Sequence, residues 1–202
     1  MKKWERYYEE YYCRVLVEQF LKEFKFIKSE SPDWVDTLNG IGMECAIAQV
    51  NEIYATSLKY AEYIHGKCRN PENRLKELNK RGKATKWGYL HQMTDENALP
   101  YIQSELEKKL IKLRDSYQKY DENWIAFYLE SPISESEIEE FYQGLVQTQQ
   151  EYETGFDKII ICGSQLFVFD MNSKYWQYYT LENQRSFAEK VKEIAMKEEG
   201  EC

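Results

Sequence analysis

The strongest constraint on the fold of this chain is the stretch of residues 31–48, in which a turn signal separates two apolar runs. The signal is Asn39-Gly40, the residue pair that supplies the positive φ of a tight hairpin turn. Asp33 begins the first run and Glu44 lies within the second. A hairpin over this stretch is expected to place the two carboxylates on adjacent strands, near the same end of a sheet.

Two carboxylates held in this way provide the hard oxygen ligands that Mg²⁺ or Mn²⁺ prefers. Asp33 and Glu44 are therefore candidate catalytic residues and metal ligands. The alternative is structural, because short motifs have a high false-positive rate. In that interpretation Asp33 is an ordinary turn acid after a proline, and Glu44 is a solvent-facing residue of an edge strand.

Pro32-Asp33, the step of eleven residues to Glu44, and the apolar strand around this second acid together resemble the PD-(D/E)XK nuclease superfamily. The resemblance implies a restriction-endonuclease-like core and metal-dependent hydrolysis of phosphodiester bonds in DNA or RNA. It also implies a third metal ligand, the backbone carbonyl of Cys45, because relatives of this fold commonly use a backbone carbonyl there.

The chain departs from the pattern of this superfamily at one position. The superfamily places a lysine two residues after the second acid, where it orients the attacking water, and this chain has Ala46. Lys109 lies at the flank of the apolar stripe of a helix predicted over residues 96–119, from which it could reach the sheet edge and replace the missing lysine. Lysines on such a flank more often extend along the apolar surface into solvent. Gln49, near the end of the second strand, could position a water.

A predicted amphipathic helix over residues 4–24 precedes the hairpin. Glu9 lies within its apolar stripe, where an unpaired carboxylate is costly. Either Glu9 extends into solvent at the helix edge, or it points toward Asp33 and Glu44 and joins the metal site. Nucleases of the superfamily often carry an acid on the preceding helix, and this supports the second interpretation.

A local basic cluster interrupts an acidic chain whose net charge is −8. Such a net charge argues against a protein that coats nucleic acid nonspecifically, because phosphate binding is driven by clustered Lys and Arg. Within residues 74–89, however, basic residues precede Trp87 and Tyr89, as in a nucleic-acid contact. The candidate contacts are Lys80, Arg81, Lys83 and Lys86. A solvated loop with solubilising lysines is the alternative.

The remaining pattern predicts an α/β fold. The predicted elements are a strand at 25–28, helices at 50–65 and 96–119, a strand at 124–129, a helix from a Ser134/Glu137 capping box to residue 150, a hairpin over 157–170, an edge strand at 175–179 and a helix at 181–197. This order predicts a mixed β-sheet flanked by helices. No linker composition divides the chain, so we expect a single α/β domain over residues 1–202.

Several classes of site and location are disfavoured. The five cysteines are scattered without a CxxC pair, so reduced thiols are expected rather than a zinc site or a disulfide framework. Neither a P-loop nor a dinucleotide-binding glycine motif is present. There is no run of 18 apolar residues and no signal-peptide pattern, which predicts a cytoplasmic protein with no membrane partner.

Two functions therefore remain as hypotheses. The first is a nuclease-like protein that uses Mg²⁺ or Mn²⁺ to hydrolyse nucleic acid. The second is a catalytically inactive binding or interaction protein on the same scaffold. The absent strand lysine, the acidic composition and the 17 tyrosines favour the second, because tyrosine is enriched at protein interfaces.

Overall fold

The computed structural model describes residues 3–48, 59–60, 63, 66, 68–85, 88–91, 98–129, 133 and 135–200, with residues 6, 81–85, 88–91 and 135 described by their backbone alone. The helices are α1 (Lys3–Arg6), α2 (Tyr8–Phe20), α3 (Pro71–Arg81), α4 (Leu99–Asp115), α5 (Ile138–Gln150) and α6 (Gln184–Glu198), and a 3₁₀ turn (Glu135–Glu137) precedes α5.

One seven-stranded sheet organises most of the chain. Its strands are β1 (Ile27–Lys28), β2 (Trp34–Asp36), β3 (Ile41–Ile47), β6 (Glu122–Tyr128), β7 (Lys158–Cys162), β8 (Gln165–Asp170) and β9 (Tyr175–Thr180). They lie in the order β1-β2-β3-β6-β7-β8-β9. The central strands β3, β6 and β7 are parallel, and antiparallel arms extend on both sides. The predicted α/β fold with a mixed sheet flanked by helices is confirmed.

Helices cover both faces of this sheet. On one face α2 packs against β3, β6 and β7, and α6 packs against α2. Alternate strand residues such as Met43, Trp124 and Ile160 are buried there. On the other face α4 packs against α5, and the Tyr142 ring of α5 stacks on Phe169 of β8. The alternation arises because successive strand residues point to opposite faces.

The connection between β2 and β3 is wider than the predicted tight turn. Four residues, 37–40, join the strands, and of Asn39 and Gly40 only the glycine has a positive φ, +66°. The Asp36 carboxylate explains the wider loop, because its Oδ1 accepts hydrogen bonds from the backbone N–H groups of Leu38 and Asn39, both 3.1 Å long. The predicted hairpin is present, but the prediction of a tight turn formed by Asn39-Gly40 alone is wrong.

Other predicted elements are present with different boundaries. The predicted helix over residues 4–24 is two helices and ends at Phe20. The helix predicted from a capping box begins at Ile138 after the 3₁₀ turn, and Ser134 of that box lies outside the described residues. The predicted hairpin at 157–170, the edge strand β9 and the final helix α6 are confirmed.

The contacts divide the chain into two compact units, Met1–Ala48 with Leu99–Cys202, and Gln49–Ala98. The second unit contains α3 and the antiparallel hairpin β4 (Gly82–Thr85) and β5 (Gly88–His91). Asn70 caps α3 by accepting the N–H of Asn73, 3.1 Å away. Much of the helix predicted at 50–65 lies outside the described residues, and the expectation of a single domain stays a prediction.

Candidate functional site

The structure brings Asp33 and Glu44 together at the start of β2. Trp34 pairs with Met43 in the β2–β3 ladder, so Asp33, one residue earlier, comes opposite Glu44. The Cys45 N–H donates a hydrogen bond of 2.7 Å to Asp33 Oδ2. Glu44 does not have the solvent-facing edge position that the structural alternative requires, because it is 6% exposed and β3 lies inside the sheet, between β2 and β6. Asp33 lies in the bend after Pro32, so the structural alternative stays open for this acid.

Lys109 reaches this pair from helix α4. Its ammonium group forms an ion pair with Glu44 Oε1 and donates a hydrogen bond of 3.3 Å to the backbone carbonyl of Cys45. The side chains are well shielded, 16% exposed for Lys109 and 8% for Glu44. The lysine therefore does not extend into solvent, although its catalytic role stays a prediction.

Tyr117, which follows α4, is a partner that the sequence did not assign to the site. Its hydroxyl donates a hydrogen bond of 2.5 Å to Glu44 Oε1. Burial and the bond to this carboxylate raise the pKa of Tyr117 above its usual value, so the phenol stays protonated. A signal was present in the sequence, because Tyr117 ends the apolar stripe of the helix predicted over residues 96–119, and buried tyrosines usually find a partner for their hydroxyl.

On the preceding helix α2, Glu10 is the acid whose pKa is affected by Asp33 and Glu44. Burial, and next the negative charge of Asp33, raise the pKa of Glu10 from its usual value to about 7. Glu44 and the adjacent Glu9 add to this effect. Sequence periodicity places Glu9 in the predicted apolar stripe. Glu10 was not singled out, because neighbouring helix residues differ by about 100° in direction. A role for Glu9 itself in the site stays a prediction.

Glu10 and Asp33 resist ionisation in a cluster with Glu44. Burial, and next the charge of Glu44, raise the pKa of Asp33 to about 6, while the Cys45 N–H and the charges of Lys109 and Lys28 act in the opposite direction. Like charges gathered in a shielded place favour protonation or the arrival of a cation. The raised pKa values of Asp33 and Glu10, more than the short sequence motif, make this cluster a candidate functional site.

The donor set suits a hard divalent cation. The Asp33 and Glu44 carboxylates and the Cys45 carbonyl offer oxygen atoms alone, the ligand type that Mg²⁺ and Mn²⁺ prefer. Among the described residues, however, no group of three or more His, Cys, Asp or Glu side chains could hold a metal ion. Any metal bound here would therefore depend on two carboxylates, a backbone carbonyl and water.

The remaining predicted residues lie in the second unit or outside the described residues. Lys80 is exposed on α3, Arg81 ends this helix and Lys83 lies in β4. Gln49 and Lys86 are outside the described residues. The nucleic-acid contacts and the water-positioning role of Gln49 stay predictions.

Four cysteines are free thiols, as predicted: Cys13, Cys45, Cys68 and Cys162. Cys13 and Cys45 are buried in the core, and burial raises the pKa of both thiols. Such thiols are poor nucleophiles and poor metal ligands, because both roles require the thiolate.

Comparisons with known proteins do not identify a family. No protein-family model, no curated protein and no solved structure gives a significant match to the chain. The helices in the described part of the chain all lack the combination of length and apolar character that crossing a membrane requires.

Proposed function

We propose that the chain is a nuclease-like hydrolase that cleaves phosphodiester bonds of DNA or RNA with the help of Mg²⁺ or Mn²⁺. The observation that carries the proposal is the position of Lys109. Its ammonium group contacts Glu44 and the Cys45 carbonyl, and from there it would take the role of the absent strand lysine. A lysine, two acids and a backbone carbonyl thus lie close together, although Lys109 is 65 residues from Glu44 in sequence.

The order of elements supports a PD-(D/E)XK-like core for this site. Helix α2 precedes the strands, and β1, β2 and β3 form an antiparallel series. After α4, strand β6 returns parallel to β3. This arrangement agrees with the helix before the hairpin and the further helices and strands after it that the resemblance implies.

The residues would divide the chemistry between them. Asp33, Glu44 and the Cys45 carbonyl would hold the divalent cation, which when bound polarises the phosphate and lowers the pKa of water. Lys109 would orient the attacking water and offset negative charge that develops on the phosphate. Removal of one such charge-stabilising group typically lowers the rate by about 10²- to 10³-fold. Lys80, Arg81, Lys83 and Lys86 would contact phosphates of the nucleic acid.

A specific observation also favours the second function, a binding protein without turnover. The Lys109 ammonium already neutralises Glu44 and occupies the Cys45 carbonyl, so this part of the site is internally satisfied without a metal. Exposed tyrosines on the terminal strand β9, Tyr175 and Tyr178, offer contact area of the kind enriched at protein interfaces.

Cleavage assays separate the two functions. Purified protein is incubated with end-labelled DNA and RNA in Mn²⁺, Mg²⁺ or EDTA, together with Asp33→Asn and Glu44→Gln variants. The proposal predicts cleavage by the unmodified chain in Mn²⁺ or Mg²⁺, and its loss in EDTA and in both variants. Glu122→Gln is the matched control, because Glu122 also accepts a bond from a lysine, 2.6 Å from Lys158, but lies outside the cluster.

The control variant must retain cleavage. Equal cleavage by the unmodified chain and the Glu44→Gln variant would contradict the assignment of the site. Retention of labelled nucleic acid without cleavage under every metal condition would instead favour the binding protein.

A further inference from the structure

We propose that Tyr117 is the positioning residue of the Asp33–Glu44 centre, and that its hydroxyl keeps the Glu44 carboxylate in place when a divalent cation replaces Lys109 there. The inference rests on the proposed metal-dependent function. It adds a residue that the sequence pattern of the resemblance does not contain.

The hydrogen bonds of Glu44 are unequally distributed over its two oxygens. Oε1 accepts from the Tyr117 hydroxyl at 2.5 Å and from the Lys109 ammonium. No other hydrogen bond to this carboxylate is found between the residues that the structure describes. Oε2 is therefore the oxygen available to a cation, while Oε1 fixes the direction of the group.

Asp33 repeats this pattern on the neighbouring strand. Its Oδ2 is held by the Cys45 N–H at 2.7 Å, and Oδ1 accepts no hydrogen bond within the described part of the chain. One oxygen of each acid is thus fixed by the protein and the other is available. A pair of carboxylates fixed in this way can present two oxygens to one ion without reorganising.

The two donors to Glu44 differ in charge, and this difference assigns the role to Tyr117. A divalent cation near Glu44 repels the Lys109 ammonium, which also contacts the Cys45 carbonyl that the cation would need. The Tyr117 hydroxyl is neutral, so a cation does not displace it. If a bound cation displaced Lys109 from Glu44, Tyr117 would be the one of these two donors that still holds Oε1.

The test measures Mn²⁺ affinity directly, independently of cleavage. Calorimetric titration of the full chain with Mn²⁺ is compared between the unmodified protein and Tyr117→Phe, which removes the hydroxyl and keeps the ring. Loss of a group that orients a metal ligand typically costs about 10- to 100-fold in affinity. We expect an increase of this size in the dissociation constant for Mn²⁺.

Two other tyrosines provide matched controls. Tyr142 has a buried hydroxyl without a hydrogen-bond partner among the described residues, so Tyr142→Phe removes only an oxygen. Tyr12 donates a buried hydrogen bond of 2.8 Å to the Gly163 carbonyl, so Tyr12→Phe reports the effect of losing a structural tyrosine bond. Both variants should keep the Mn²⁺ affinity of the unmodified chain, and Tyr12→Phe should lower the thermal unfolding midpoint.

The outcomes separate this inference from the proposed function. A Tyr117→Phe dissociation constant within twofold of the unmodified value would overturn the role of Tyr117 and leave the proposed function intact. An equal loss of affinity in Tyr12→Phe would also overturn it, because the effect would then be general destabilisation. Absence of Mn²⁺ binding to the unmodified protein would overturn both proposals.

Discussion

At the scale of single residues, the Glu44 carboxylate has the most demanding surroundings in the described site. It is nearly removed from water, close to Asp33, and balanced by one cation, Lys109. A shielded ion pair contributes little net stability by itself, but loss of one partner leaves an uncompensated charge. The contribution of the Lys109–Glu44 ion pair to stability is therefore best measured by removing one of its two members.

We predict that Lys109→Met lowers the free energy of unfolding by about 3 kcal/mol in EDTA, because Glu44 would then be buried without its cation. Millimolar Mn²⁺ should restore part of this loss if a divalent cation takes the place of the ammonium group. Urea unfolding at pH 7.5, with EDTA or Mn²⁺, measures both effects.

Lys158→Met is the control for this experiment. Lys158 bonds Glu122, whose side chain is 42% exposed, and also lies near Asp170 and over the Trp124 ring. Its loss should cost about 1 kcal/mol and should not respond to Mn²⁺. Equal stability of Lys109→Met and the unmodified protein in EDTA would show that the Lys109–Glu44 pair is not the counter-charge of the site.

At the scale of elements, the end of helix α6 is tied to helix α2 and strand β1 by charged groups. Arg14 forms two hydrogen bonds with Glu198, 2.8 and 3.0 Å long. Glu199, immediately after the helix, accepts from Tyr11 at 2.9 Å and pairs with Lys3 and Lys28. The positive charge of Lys28 also opposes the rise in the pKa of Asp33 and Glu10. The end of α6 and the acidic cluster therefore share one cation.

We predict that Glu199→Gln destabilises the protein by about 2 kcal/mol at pH 7. Although burial alone would raise it, hydrogen bonds from Lys28, Lys3 and Tyr11 lower the pKa of Glu199 from 4.5 to about 2. A carboxyl with a lowered folded-state pKa stabilises the protein above its unfolded-state value, and this contribution is lost as pH falls from about 4.5 through 2.

Thermal unfolding of both proteins between pH 7 and pH 2.5 measures this difference, which should shrink toward the acidic limit. Glu193→Gln, at an exposed position of the same helix, should behave like the unmodified protein throughout. A difference that does not depend on pH would mean that Glu199 acts by packing and not by its charge.

The elements also show what local sequence can reveal. The apolar periodicity of α4 predicts Lys109, and the Asn39-Gly40 signal with the step of eleven residues from Asp33 to Glu44 predicts the two acids, because both are patterns of local spacing. The effect of Asp33 and Glu44 on the pKa of Glu10, and the hydrogen bond from Tyr117 to Glu44, depend on how a helix is rotated against a sheet. That rotation is set by tertiary packing, which no local pattern contains.

The second unit shows the same limit for the fold. Helix α3 and the β4–β5 hairpin lie in a part of the chain for which the sequence analysis predicts neither a helix nor a strand. Helix α3 contains few apolar residues, so its periodic signal is weak. The seven-stranded sheet was predictable because its strands are apolar and clearly bounded by turn residues.

At the scale of the whole molecule, charge is the property that most restricts the proposed substrate. A chain of net charge −8 repels a polyanion at long range, so binding must depend on a local basic surface. The proposed surface consists of Lys80, Arg81, Lys83 and Lys86.

We predict that alanine at these four positions weakens nucleic-acid binding and makes it less sensitive to salt. Each phosphate contact contributes about −0.9 to the slope of log K against log salt for duplex DNA, so the magnitude of the slope should fall by about 3 to 4. Fluorescence anisotropy of labelled duplex between 50 and roughly 200 mM salt measures the slope.

Four exposed basic residues elsewhere provide a control of equal charge: Lys174, Arg185, Lys190 and Lys197. Their replacement by alanine lowers the net charge by the same amount and should leave the slope nearly unchanged. Equal changes in the two variants would indicate a diffuse electrostatic effect and would contradict a defined contact surface.

The unit formed by Gln49–Ala98 lies entirely within one connection of the large sheet, between β3 and α4. None of the residues that the structure describes in this unit takes part in the β-ladders of the seven strands. An insertion of this kind can be lengthened, shortened or exchanged during evolution without altering a strand register. Relatives of this chain can therefore diverge most in the unit Gln49–Ala98. Recognition of a target can change there while Asp33 and Glu44 stay the same.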